Sequence, residues 1–102
     1  MVISLAGEWD IYQAPQLRER LQPAYAQAEV VLDLTSAKYV TSSLITALVL
    51  AHKHRVASGM VPASLAVRSA FVRRLLTLTG LDELFPIYDD VEEALEAGNT
   101  VG

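Results

Sequence analysis

Three adjacent hydroxyls, Thr41-Ser42-Ser43, are the residues of this chain whose types and spacing lend themselves most readily to chemistry. They lie between a brief extended piece, Tyr39-Val40, and an apolar run from Leu44 to about Val56 that reads as a helix. A helix start leaves backbone N–H groups unpaired and carries the positive end of the helix dipole, so it tolerates or attracts an anion. Two uses of the hydroxyls follow. Thr41 or Ser42 can serve as the N-cap, a contribution of about 1 kcal/mol. A serine there can also accept a phosphate, which the same amides would hold. The two uses are compatible. A second segment, Gly7-Glu8-Trp9-Asp10, follows a strand and so falls in a loop at the edge of a sheet. Its acids read as a solvated turn. Trp9 reads either as a partner contact, where aromatics are enriched, or as a side chain leaning on the core.

The remaining polar residues form no reactive constellation. The chain has no cysteine, which removes disulfides, thiolate metal sites and cysteine nucleophiles and fits a reducing compartment. His52 and His54 are two apart on a helix and point in different directions, so no metal site is expected from them. The glycines at 7, 59, 80, 98 and 102 never cluster into a phosphate-cradling loop. No serine sits in a nucleophile elbow. Neither a cofactor nor catalysis is expected. A formal net charge of -4 disfavours direct nucleic-acid binding. The longest apolar stretch, Leu44 to Ala51, broken only by Thr46, is far short of the roughly 20 residues that span a bilayer. The apolar opening Met1 to Ala6 runs into Gly7, Glu8 and Asp10 without a basic leader. A cytoplasmic protein without membrane insertion is therefore expected.

The positioning elements follow from periodicity. The 102 residues, with 52% hydrophobic and 20% charged side chains, suffice for one globular domain spanning 1–102. Val2 to Leu5 reads as a strand. Pro15 suits the first turn of a helix carrying Leu17 and Leu21, with Arg18, Glu19 and Arg20 on its wet side; Pro23 should end that helix near Leu21. Val30 to Leu34 is a β-branched and aliphatic run in which only Asp33 is charged, the character of a strand covered on both faces. After the Leu44 helix, whose basic end (His52, Lys53, His54, Arg55) complements the dipole, Gly59 is a stop. Leu65 to Val67 is the next strand. Ser69 caps a third helix with a buried stripe of Phe71, Val72, Leu75 and Leu76, ended by Gly80. Pro86 to Tyr88 is a short strand, and Asp90-Val91-Glu92-Glu93 opens a last helix, Val91 to Ala97, with capping-box spacing. The alternation predicts an α/β fold: a mixed sheet of about four strands with about four helices packed on it.

In this order the pieces resemble the STAS domain, the module of bacterial anti-sigma factor antagonists and of the cytoplasmic part of sulfate transporters. Leu5-Ala6-Gly7-Glu8-Trp9-Asp10 is similar to that family's L-x-G-E-L-D strand end. Val30 to Leu34, Tyr39 to Ser43 and the helix after them are similar to its central strand and regulated helix. Ser69 to Leu81 and Leu84 to Leu95 are similar to its remaining elements, so the likeness covers nearly the whole chain. The resemblance implies partner switching: the domain binds an anti-sigma factor that is also a serine kinase, phosphorylation releases it, and a serine phosphatase restores it. The acceptor implied is Ser42, with Thr41 as the alternative, and the partner surface implied is Glu8, Asp10, Thr41, Ser42 and Ser43. Thr41 stands where the family has aspartate. Leu44 and Thr46 stand where it has glycine, and the Leu44 side chain is expected to limit close approach of a partner backbone. These departures keep a second reading open, an unphosphorylated STAS scaffold or a subunit of a transporter or larger signalling assembly.

Overall fold

The computed structural model describes residues 1–6, 9, 11–37 and 40–99, of which 11, 98 and 99 are described for the backbone only. Four short strands, β1 (Val2–Ser4), β2 (Val31–Asp33), β3 (Ser64–Ala66) and β4 (Ile87–Tyr88), form one sheet in the order β1-β2-β3-β4. All three pairings are parallel, with Ile3 opposite Leu32, Leu32 opposite Leu65, and Leu65 opposite Ile87. The expectation of a mixed sheet is corrected here. Every connection between neighbouring strands runs through helix, and such a crossover returns the chain in the same direction.

Helices cover both faces. α1 (Ala14–Leu21), α2 (Ser42–Ala57), α3 (Ala70–Leu78) and the extra turn α4 (Leu81–Leu84) cover one face; α5 (Val91–Asn99) covers the other. On the first face Ile3, Leu5, Leu32, Leu34, Leu65 and Val67 meet Leu17, Leu21, Leu44, Leu48, Val72 and Leu76 in one apolar core. The second face is a smaller cluster of Val31, Ala66 and Ala94 with Tyr88 and Val91. The alternation of the strands explains the division, because successive side chains point to opposite faces.

Most boundaries follow from local chemistry. α1 has Pro15 in its first turn and stops at Leu21, where Pro23 diverts the chain into a 3-10 turn, Gln22–Tyr25. Ser69 caps α3 by accepting from the Val72 amide, and Asp90 caps α5 by accepting from the Glu93 amide at 2.8 Å. Gly80 has φ +78, the left-handed value that ends α3 and begins α4 without steric cost. One buried assignment fails. Val72 and Leu76 are buried, but Phe71 is 61% exposed and Leu75 only half-buried. A nine-residue helix on a sheet of very short strands has its inner stripe filled by two residues, so its remaining apolar side chains are left outside.

Candidate functional site

The start of α2 is built around Thr41. Its backbone is extended (φ -93, ψ 163), and its side-chain oxygen accepts from the Leu44 amide at 3.1 Å, so Thr41 is the N-cap. The same hydroxyl donates to the carbonyl oxygen of Trp9. That second bond ties the loop after β1 to the start of α2. Trp9 is itself buried, and its indole N–H donates to the Leu5 carbonyl at 3.1 Å. The Arg20 guanidinium lies 5.8 Å from the centre of the Trp9 ring and donates to the Ser4 carbonyl at 3.2 Å. Of the two sequence readings of Trp9, the core contact is the one observed.

Thr41's occupation leaves Ser42 in a different position. Ser42 is the first residue of α2 and is exposed, while Ser43 is half-buried. Both line a groove of about 250 Å³ between α1 and α2, with Ala14, Arg18, Thr46 and Leu50 as its other main walls. The Ser42 hydroxyl therefore lies beside the positive end of a helix and on a surface another protein can reach. Leu44, expected to obstruct that surface, is fully buried in the core. The helix turns residue 44 inward, and Leu44 leaves the approach to Ser42 clear. Glu8 and Asp10, the two acids expected at the partner surface, lie outside the described residues, as does Tyr39.

Arg18 is the site residue that sequence reasoning missed. The periodicity of α1 put it correctly among exposed positions, but only the packing of α1 against α2 brings it to the groove that Ser42 and Ser43 line. The histidines diverge as expected. The His52 ring meets Phe85 edge-on at 5.1 Å, and the His54 ring stacks on Tyr25 at 4.5 Å. No cluster of three metal-ligating side chains occurs among the described residues, and none of their helices is long and apolar enough to cross a membrane.

The far end of α2 is a different kind of site. Arg55 is fully buried, and its guanidinium donates to four backbone carbonyls: Ala24 and Gln27 at 2.7 Å, Ala28 at 2.8 Å and Val61 at 3.0 Å. Burial pushes its pKa down from the ordinary arginine value, yet a guanidinium stays charged in proteins. Arg55 thereby holds together the chain before β2 and the chain before β3. Sequence reading had assigned it only to the dipole of α2.

The comparisons with known proteins agree with this geometry. The sequence profile of one protein family, Mlab, STAS domain, matches residues 1–98. Among solved structures, an anti-sigma factor antagonist from Mycobacterium paratuberculosis superposes with a TM-score of 0.80 at 28% identity, covering 94% of this chain and 82% of that one. An anti-sigma-factor antagonist (STAS) domain protein from Planctomyces limnophilus superposes with a TM-score of 0.68 at 28% identity, covering 94% and 87%. The anti-sigma factor antagonist SpoIIAA in its unphosphorylated form shares the fold with a TM-score of 0.74 at 19% identity, covering 98% and 89%.

Proposed function

We propose that this chain, which belongs to the STAS family, is an anti-sigma factor antagonist switched by phosphorylation of Ser42. It binds an anti-sigma factor that is also a serine kinase through the start of α2, and phosphorylation by that kinase ends the complex. The observation that carries the reading is the division of labour between neighbouring hydroxyls. Thr41 does the capping and bonds to Trp9, while Ser42 is exposed beside it. Phosphate adds about -1.5 to -2 charges to a surface that had met a neutral hydroxyl, which breaks a close contact by repulsion and desolvation. The kinase supplies ATP and Mg²⁺, and a serine phosphatase resets the switch. Regulation of transcription is indirect, through the sigma factor set free. Ser43, Glu8 and Asp10 complete the proposed contact surface, and the setting is the bacterial cytoplasm.

Thr41 is the weaker acceptor, because its hydroxyl is already engaged: phosphorylating it removes the proton that Thr41 donates to the Trp9 carbonyl. The test has two parts. Protein purified from its native cells is examined by mass spectrometry for phosphate on Ser42 or Thr41. Binding to candidate kinase partners is then measured for wild type, Ser42→Ala and Ser42→Asp. The expected result is phosphate on Ser42, tight binding by wild type and Ser42→Ala, and binding at least tenfold weaker for Ser42→Asp. Equal binding by all three, with no phosphate on either residue, overturns the switch. That outcome favours the unphosphorylated scaffold or transporter subunit, the reading that Thr41 in place of the family's aspartate speaks for.

A further inference from the structure

Arg18 and Ser42 border one groove, and its described walls hold no acid. Each crossover returns the chain from the end of one parallel strand to the start of the next. The packed helices α1 and α2 therefore run in the same direction, with their first turns side by side. Ala14 and Arg18 are four residues apart and share a face of α1. Ser43, Thr46 and Ala47 share a face of α2 at i, i+3 and i+4, with Ser42 at their head. The groove of about 250 Å³ lies between these two faces, and Arg18 is the one charged side chain among its described walls. The other charges of α1 are engaged or turned aside. Arg20 donates to the Ser4 carbonyl and lies over Trp9, and Glu19 is not a wall of the groove. The first turn of α2 carries no acid. Arg18 itself is exposed and makes no hydrogen bond or ion pair among the described residues. Long helical side chains lean toward the N-terminus of their helix, so Arg18, one turn into α1, leans toward the level of Ser42.

We propose that Arg18 receives the phosphate on Ser42: its guanidinium N–H groups donate to the phosphate oxygens across the groove and tie the first turns of α1 and α2 together. Such a clamp rests on the switch proposed above, whose product it holds. A phosphoserine opposite an arginine gains charge-assisted hydrogen bonds, and the fork of the guanidinium matches two phosphate oxygens at once. The phosphate is then drawn over the groove instead of standing out from the surface. The phosphorylated state is closed by a contact within the chain, in addition to the repulsion that the phosphate presents to a partner. Lysine at this position supplies the charge but not the fork. The start of α2 attracts the phosphate as well, equally with or without Arg18.

The test uses the full chain with phosphoserine installed at position 42 during synthesis, so that it needs no kinase. The phosphate is titrated by phosphorus NMR at about 0.05 M and about 0.5 M salt. A neighbouring cation favours the doubly charged phosphate, whose second ionisation ordinarily falls at about pH 6. In wild type that ionisation should fall at least about half a pH unit lower than in Arg18→Gln, with Arg18→Lys in between. The difference should shrink at high salt, because the pair is exposed. Arg74→Gln removes the same charge from α3 and should titrate as wild type does. Folding of each variant is verified by far-UV circular dichroism. Equal titration of wild type and Arg18→Gln overturns the clamp, and so does an equal change in Arg74→Gln. Ser42 found without phosphate in native cells would defeat the switch itself and leave this titration unaltered, so the two failures are told apart.

Discussion

The two ends of α2 solve the same local problem in opposite ways. Both have backbone groups that the helix cannot satisfy. At the far end these needs are met inside the protein. Gly59 takes φ +76, and its amide donates to Val56 and the Met60 amide to Arg55, while the buried Arg55 side chain satisfies not the helix's own carbonyls but four from two other segments. At the near end one side chain, Thr41, does the capping and the bracing, and the next hydroxyl is left at the surface. The far end is architecture. The near end is braced just enough to present Ser42 in a defined place, and that asymmetry is the physical content of the proposed switch.

Mutations can break the comparison, and the largest effect is expected at the buried end. Arg55→Leu leaves several carbonyls without donors and should lower stability by about 3 kcal/mol in urea unfolding; a loss under about 1 kcal/mol would show that the clamp is not structural. Thr41→Ala should come next, costing about 1–2 kcal/mol, with Thr41→Ser recovering most of it. Gly59→Ala should cost about 1 kcal/mol by thermal unfolding, from backbone strain alone, since a Cβ there meets nothing within 4 Å. Ser42→Ala should sharpen the contrast with its neighbour by changing stability less than about 0.5 kcal/mol while abolishing phosphate uptake. A destabilisation of Ser42→Ala equal to that of Thr41→Ala would make Ser42 a structural residue like the others.

Much of this was legible in the residues. Pro15, Pro23, Ser69, Gly80 and Asp90 act within a few positions of themselves, so their helix starts and stops could be read directly, and the observed boundaries follow them. The hydroxyl triplet at the start of α2 was equally plain. Its internal division of roles was not, because Thr41 and Ser42 are both competent caps and only the Trp9 carbonyl, 32 residues earlier in the chain, distinguishes them. Phe71 failed for a related reason. Helical spacing shows that residues share a face but not how much sheet is there to cover them.

Sequence alone determined the alternation of strands and helices, the absence of cysteine chemistry and the place of the hydroxyls at a helix start. These are consequences of period, capping and composition, which act over a few residues. Tertiary structure decided which hydroxyl is spent and which is displayed, that Leu44 turns inward, that Arg18 borders the groove, and that Arg55 is enclosed by carbonyls. Each of those depends on a contact between segments far apart in the chain, and no local pattern encodes the distance between them.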